Sequence, residues 1–310
     1  MAEEKKLKIW FLNVGHGDCT YCELPNGARM MIDCGGSQNW ASKMLKHYNI
    51  TKKGAPNPWG YALDKLVITH PHGDHISDII SIHDDIGFNW LIGAYSNFID
   101  DIEKDKIDFR KRNKTAVEKF IAVVKNYTGA YKKEEDRVVA SNPPCVVNAK
   151  RFIPFSKGMD LNELSWFTSF EIGGHKVLFT GDMTASGVQK ILESDKAEDF
   201  KKFVKGTTIL KIPHHGRENG CSEEMFEAFE VEPLLCVASD KVLDEQNEGT
   251  SNIGWYKNRT SDKEILIDGQ LQSRWVLTTR NDGDIFLSIS NEGDLEVITH
   301  AFKILRKELL

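Results

Sequence analysis

Residues 66–75 read Leu-Val-Ile-Thr-His-Pro-His-Gly-Asp-His, so an apolar run is followed by three imidazoles and one carboxylate within six positions. Neutral imidazole and carboxylate groups suit zinc and similar first-row metal ions. Alternate positions beyond a strand end let His70 and His72 converge on one point, while Asp74 and His75 reach a second. The stretch therefore predicts a site for two metal ions; a solvated turn with incidental histidines is the alternative.

Further ligands are expected at the ends of other strands, because one short loop cannot fill two coordination spheres. Three more segments end an apolar, strand-like run in a ligand side chain. They are residues 30–33, ending in Asp33; 177–182, ending in Asp182; and 208–215, ending in His214 and His215. Asp33 is predicted to orient a ligand through a hydrogen bond rather than to bind metal.

The order of these residues resembles the metallo-β-lactamase superfamily, an αββα sandwich of four layers with a dinuclear metal site along one edge. Three segments are also similar to its ComEC branch, which includes the hydrolase domain of DNA-uptake channel proteins and choline-phosphate esterases. They are Leu-Asn-Val-Gly-His-Gly-Asp at 12–18, Leu-Lys-Ile-Pro-His-His-Gly at 210–216 and the stretch 276–285. The resemblance covers nearly the whole chain and implies the α/β (α+β) class, with one hydrolase domain over residues 1–310.

The resemblance also distributes the ligands between two metal sites. It implies His70 and His72 for the first site; Asp74, His75 and either His214 or His215 for the second; and Asp182 as the bridge between them. Asp74 and Asp182 are then the catalytic carboxylates. Alternation along the incoming strand would direct the rings of His214 and His215 apart, so one of them is expected to bind metal, with His215 preferred.

One ligand of the superfamily pattern is missing, namely an extra histidine on the first site between His75 and Asp182. The histidines in that interval are His83 and His175, and both are expected at the surface. Asn162 stands where the ComEC branch often carries Asn-x-x-Ser. Because an amide oxygen suits a harder ion than imidazole does, manganese is predicted beside zinc as the metal cofactor.

Length and composition fit an enzyme with a substantial core, since 40% of the 310 residues are apolar. No apolar run approaches membrane-spanning length, and the first residues lack the apolar core of a secretion signal. These features predict a cytoplasmic protein without a membrane partner. The six cysteines are interpreted as small core or surface residues, because Cys19 and Cys22 have no second pair.

Periodicity predicts the main elements. Strands are expected over 7–14, 19–24, 28–33, 63–69, 145–153 and 234–238, and helices over 38–50, 76–85, 113–127 and 222–230. The region 240–272 is polar, with weak structure signals. The region 95–160 is longer than a connection needs, so part of it is expected to form an insertion near the active site.

The charge pattern bears on the substrate. A net charge of −6 gives no global attraction for nucleic acid. Basic clusters at 104–114, 132–133 and 201–205 could follow a phosphate backbone, although solvated helix faces are the alternative. Lys211, Arg217 and Arg280 are candidate phosphate contacts, with ordinary surface charge as the alternative.

These observations predict a metal-dependent hydrolase that uses a hydroxide activated by two metal ions. A phosphodiester substrate is favoured, which makes the protein a phosphodiesterase or a nuclease with nucleic acid as one substrate. A hydrolase of a thioester, lactone or β-lactam is the second hypothesis. A non-catalytic, metal-binding interaction protein is the third. The sequence leaves the exact substrate and the oligomeric state open.

Overall fold

Two β-sheets pack face to face in this computed structural model, which describes residues 5–54, 60–93, 114–126, 144–154, 160–240 and 252–310. The strands are β1 (Leu7–Phe11), β2 (Cys19–Glu23), β3 (Arg29–Cys34), β4 (Leu63–Val67), β5 (Phe88–Ile92), β6 (Val146–Lys150), β7 (Phe167–Ile172), β8 (His175–Phe179), β9 (Ile209–Lys211), β10 (Leu235–Ala238), β11 (Ile265–Ile267), β12 (Gln270–Gln272), β13 (Val276–Thr278), β14 (Ile285–Ile289) and β15 (Leu295–Ile298). Within the described ranges the first sheet has the order β12-β11-β15-β14-β1-β2-β3-β4-β5, and the second has the order β13-β10-β9-β8-β7-β6.

Helices cover the outer faces of both sheets. The helices are α1 (Trp40–His47), α2 (Gly73–Ile76), α3 (Ile79–Ser81), α4 (Lys114–Asn126), α5 (Ala185–Leu192), α6 (Ala197–Val204), α7 (Glu223–Phe229), α8 (Ile253–Lys257), α9 (Thr279–Asp282) and α10 (Lys303–Leu309). Side chains of α1, α3, α4 and α10 pack on the first sheet, and side chains of α5 to α8 pack on the second. The layers are therefore helix, sheet, sheet, helix, which confirms the predicted αββα sandwich.

Because side chains alternate along a strand, one strand contributes apolar residues both to the core between the sheets and to the core between a sheet and its helices. In β8, Val177 and Phe179 point between the two sheets, while Leu178 points to the helices outside. All three side chains are buried. Burying a side chain of this size contributes about 1.5–3 kcal/mol, so successive positions of one strand stabilise both sides of the sheet.

Several sequence predictions need correction or completion. The helix expected over 76–85 is split into α2, α3 and a π-helical turn, Ile82–Ile86. The weakly patterned region 240–272 contains α8, β11 and β12. Within 95–160, α4 packs on the first sheet and β6 forms an edge of the second, while the basic clusters around 104–113 and 132–133 lie outside the described residues.

The parallel strands decide where polar side chains gather. In the first sheet β3 pairs in parallel with β4, and in the second sheet β9 pairs in parallel with both β8 and β10. Parallel neighbours have their carboxyl ends at the same edge of a sheet. Asp33 lies at the carboxyl end of β3, and His70, Asp182 and the segment 212–216 follow the ends of β4, β8 and β9. In the described part of the chain, no helix is both long and apolar enough to cross a membrane.

Three backbone segments meet at this edge. The Asp18 amide donates to the Asp74 carbonyl over 3.1 Å, and the Gly35 amide donates to the Asp18 carbonyl over 2.9 Å. A Cβ atom at Gly35 would lie 1.5 Å from the Asp74 oxygen. The absence of a side chain at Gly35 is therefore required for the His70–His75 loop to pack against β3.

We predict that Gly35→Ala destabilises the protein by at least about 3 kcal/mol, because the clash is with backbone, which cannot move aside cheaply. The matched control is Gly254→Ala, since a Cβ atom at Gly254 would meet nothing within 4 Å. This control is expected to be neutral or to stabilise helix α8 by up to about 1 kcal/mol. Urea denaturation of both variants measures the difference, and equal stability of the two would contradict the packing described.

Candidate metal centre

The carboxylate of Asp182 lies where the predicted ligands meet. Its side chain is 3% exposed, and four imidazole Nε2 atoms approach the same oxygen, Oδ2. The distances are 3.2 Å for His75, 3.5 Å for His215, 3.8 Å for His70 and 3.9 Å for His214. Segments that are more than a hundred residues apart in the chain thus converge on one buried oxygen.

Four of the predicted ligands form a compact set. The ligand atoms of Asp74, His75, Asp182 and His215 all lie within 4.8 Å of one another. His215 Nε2 is also 3.5 Å from Asp74 Oδ2. Two carboxylates and two imidazoles are a donor set that zinc or manganese accepts, so this group can hold a divalent metal ion.

A second group of imidazoles approaches the same carboxylate. His70 Nε2 lies 3.0 Å from His72 Nδ1, and His70 and His214 both reach Asp182 Oδ2. Asp182 therefore stands in contact with both groups of predicted ligands.

Unpartnered polar atoms test whether these residues fit a metal. Within the described residues, several buried atoms form no hydrogen bond: His75 Nε2, His215 Nε2, His214 Nδ1, Asp182 Oδ1 and Asn162 Oδ1. Leaving a buried polar atom without a partner costs about 1–3 kcal/mol. Metal coordination would satisfy the free Nε2 atoms of His75 and His215, so the donor set fits.

Hydrogen bonds behind the ligands fix their orientation. Asp33 accepts a hydrogen bond from Nδ1 of His75 over 2.8 Å and two more, of 2.7 Å each, from the amide and the hydroxyl of Thr69. Nδ1 of His215 donates to the Ser239 carbonyl over 3.0 Å. Because each ring uses Nδ1 in this way, its Nε2 is left to face the carboxylates.

The backbone at His214 and His215 differs from the expected strand. Strand β9 ends at Lys211, and both histidines have left-handed conformations, with φ of 48° and 54°. Strand alternation therefore does not apply, and the expectation that the two rings diverge is wrong. Both reach Asp182, although His215 alone of the two also approaches Asp74 in the described contacts.

The predicted phosphate contacts have different surroundings. Lys211 is 3% exposed, and its ammonium group lies 2.5 Å from Asp18 Oδ2. This buried ion pair contradicts the expectation of a phosphate contact and gives Lys211 a structural role. Arg217 is half-buried and follows the histidine pair after one glycine, Gly216. Arg280 Nη1 lies 3.3 Å from Asp240 Oδ2, with the arginine side chain 21% exposed.

The remaining candidates lie as follows. Asn162 is buried in the turn Leu161–Leu164, and the nearby Ser165 hydroxyl accepts a hydrogen bond from the Asp182 amide. His83 is exposed beside Asp84. His175 is half-buried, with Nε2 lying 3.1 Å from the Gly293 carbonyl. Both histidines lie outside the cluster.

His16 is a site residue to which the sequence assigned no role. Its Nε2 lies 3.2 Å from Asp74 Oδ2, and its ring centre is 5.5 Å from that of His215. The signal was present in Gly15-His16-Gly17 between two strands, where both glycines have positive φ. A polar residue between glycines in such a turn can approach a site closely, and here it contacts the most exposed carboxylate of the cluster.

Comparison with known proteins agrees with this architecture. Residues 12–96, which include β2 to β5 and the His70–His75 loop, match the family model of the metallo-beta-lactamase superfamily. The two sheets and the helices outside them are consistent with the metallo-β-lactamase fold. No curated protein matches the sequence.

Solved structures show distant similarity, and one of them is described as a metallo-beta-lactamase fold protein. The protein YhfI from Bacillus subtilis is 12% identical, with a TM-score of 0.45, over 94% of this chain and 99% of that one. A long form RNase Z from yeast is 11% identical, with a TM-score of 0.36, over 81% of this chain and 40% of that one.

The charged groups of the candidate metal centre are strongly coupled. Burial would raise the pKa of Asp182, but His75 and His215 outweigh it and hold that pKa well below its usual value. Burial would likewise lower the pKa of His215, but Asp182 and Asp74 raise it to about 10. Without metal, His215 therefore carries a proton at neutral pH.

We predict that metal affinity rises with pH from neutrality to about 10, because a metal ion must displace the proton of His215. The apparent affinity should increase about tenfold per pH unit for each proton displaced. Titration calorimetry in buffers of different ionisation enthalpy measures this proton release. His83→Gln is the control and should keep the same slope; an affinity independent of pH would rule out this coupling.

Proposed function

We propose that this protein is a metal-dependent hydrolase that cleaves phosphodiester bonds, with nucleic acid as a substrate. The observation that carries the proposal is the position of Asp182, whose Oδ2 is approached by imidazoles of both predicted ligand groups. A carboxylate in that position suits a bridge between two metal ions. Dinuclear sites favour phosphodiester cleavage because they stabilise both the attacking and the leaving oxygen.

Each ion would have its own ligands. Asp74, His75 and His215 would hold one ion and His70, His72 and His214 the other, with Asp182 shared. His214 would then supply the imidazole that the sequence lacks between His75 and Asp182. Two zinc or manganese ions bound there would polarise the phosphoryl group and lower the pKa of a coordinated water.

The protein's own residues keep the site rigid and admit the substrate from one side. The Asp33 carboxylate and the Ser239 carbonyl fix the rings of His75 and His215. Asp74 is 23% exposed and His16 is 19% exposed, so this pair marks the side open to solvent. We assign Asp74 as the acceptor of the proton that the attacking water loses.

Similarity to the ComEC branch at 12–18, 210–216 and 276–285 supports a phosphodiester over a thioester, lactone or β-lactam. The half-buried Arg217 beside the histidine pair supplies a cation for a phosphate. A cytoplasmic location is part of the proposal and is tested by cell fractionation.

We predict that Asp182→Asn and His72→Ala each lower phosphodiesterase activity at least about a hundredfold, since even residues that only support a metal ligand contribute ten- to a hundredfold. The fold should survive, because the apolar layers hold it together. Metal-stripped protein reloaded with zinc or manganese is assayed on bis(p-nitrophenyl) phosphate, single- and double-stranded DNA, and RNA.

The control for this assay is Asp195→Asn, which changes a carboxylate that is 82% exposed and should leave activity unchanged. Circular dichroism of each variant checks the fold. Turnover of nitrocefin or a thioester without cleavage of any phosphodiester would replace the proposal with the second hypothesis. Bound metal with no hydrolysis at all would favour the interaction protein.

We predict that His214→Gln and His215→Gln each reduce bound metal from two ions per chain to one. Each substitution keeps side-chain size but replaces an imidazole by a weaker ligand. Elemental analysis after gel filtration gives the stoichiometry. Asn162→Leu is measured in parallel. If His214→Gln keeps two ions and Asn162→Leu loses one, then Asn162, and not His214, is the ligand of the first site.

A further inference from the structure

A cationic cavity of about 310 Å³ opens between the end of α9 and helix α10. Its charged and titratable wall consists of Arg280, Asp284, His300, Lys303, Arg306 and Lys307. The wall thus combines four permanent cations with one carboxylate, in a chain whose net charge is −6. Such a local reversal of charge raises the concentration of anions at the cavity.

The carboxylate in this wall is already neutralised. Asp284 is 2% exposed and accepts hydrogen bonds of 2.8 Å from both the Asn13 amide and the Trp40 indole. Arg306 donates to the same carboxylate and lies over the Trp40 ring at 4.1 Å from its centre. These contacts hold the arginine in place and leave the remaining cations of the wall to set its charge.

The two lysines are available for a ligand. Lys303 and Lys307 are both exposed, and their spacing places them one turn apart on the same face of α10. Within the described residues neither forms an ion pair with a carboxylate. An anion in the cavity would therefore meet two ammonium groups that have no carboxylate partner among the residues that the structure describes.

Two independent connections place the cavity next to the metal centre. Asn13 lines the cavity and is three residues before His16, which contacts Asp74, and three residues span at most about 11 Å. On the other wall, Arg280 pairs with Asp240, the neighbour of Ser239, whose carbonyl holds His215. A chain molecule bound at the metal centre can thus extend into the cavity.

We propose that this cavity binds a backbone phosphate of a nucleic-acid strand whose scissile phosphodiester lies at the metal centre. The inference rests on the proposed function and names its substrate class. Arginine and lysine recognise phosphate through charge-assisted hydrogen bonds. A small diester has one phosphate and cannot reach both places, so the cavity favours a polynucleotide over such a substrate.

The test compares two double variants with the same change of charge. Lys303→Glu/Lys307→Glu alters the cavity. Lys201→Glu/Lys202→Glu alters the basic cluster of α6, for which a solvated helix face is expected, because α6 packs outside the second sheet and Lys201 pairs with Glu198. Manganese-loaded proteins are titrated with a fluorescent, phosphorothioate-linked single-stranded oligonucleotide at several salt concentrations. A separate titration uses inorganic phosphate alone, and kcat/KM is measured with bis(p-nitrophenyl) phosphate.

The cavity variant is expected to bind the oligonucleotide at least about tenfold more weakly and to lower the slope of log affinity against log salt by about 1.4, for two lost contacts to a single strand. Its kcat/KM for the small diester should stay within about twofold of wild type, and the α6 variant should bind like wild type. Lys303→Gln/Lys307→Gln should also weaken oligonucleotide binding, but by less. This variant removes the positive charges without adding negative ones, so it measures the lost contacts without the repulsion that glutamate adds.

Equal weakening by both double variants, or no weakening by the cavity variant, would overturn the proposal. Loss of inorganic phosphate binding without loss of oligonucleotide binding would also overturn it, since the cavity would then be a site for small anions. If no protein hydrolyses any diester but the cavity variant still weakens oligonucleotide binding, the proposed function fails and the cavity site stands.

Discussion

The buried carboxylate of Asp182 is the constraint on which the rest of the site depends. An ionised carboxylate that is 3% exposed is costly to bury unless charges or metal ions compensate it. Four imidazoles from two distant loops surround one of its oxygens, and two of them, those of His75 and His215, hold the pKa of this carboxyl well below its usual value. Removing one partner from such a buried set costs about 3–5 kcal/mol. The site is therefore a coupled unit in which each ligand depends on the others.

The sandwich provides this unit by its topology. Parallel pairing of β3 with β4, and of β9 with both β8 and β10, brings the ends of strands from both sheets to one edge. Apolar layers on both faces of each sheet hold these ends in place. The polar residues behind the ligands, such as Asp33 and Ser239, then have to orient rings rather than maintain the fold. This division of roles explains why substitutions at the site should reduce metal binding while leaving the sandwich intact.

Much of this arrangement could be predicted from the sequence, because dense ligand types followed apolar, strand-like runs in a distinctive order. That pattern predicted the αββα layers. It also predicted that one dinuclear metal site contains His70, His75, Asp182 and His215. The pattern did not predict features that depend on the local backbone conformation or on contacts between distant parts of the chain. The left-handed turn at 214–215 breaks strand alternation, Asp18 lies 193 positions from the Lys211 it neutralises, and the contact of His16 with Asp74 depends on how two loops pack. Short elements such as β11 and β12 have too few residues to show a period.

The most direct measurement is the anomalous diffraction of a crystal of the protein grown with manganese. Two peaks flanking Asp182 are predicted, one in contact with Asp74, His75 and His215 and the other with His70, His72 and His214. Finding no peak at Asp182, or a single ion that leaves the other group of histidines uncoordinated at full metal occupancy, would contradict the shared carboxylate at the centre of this account.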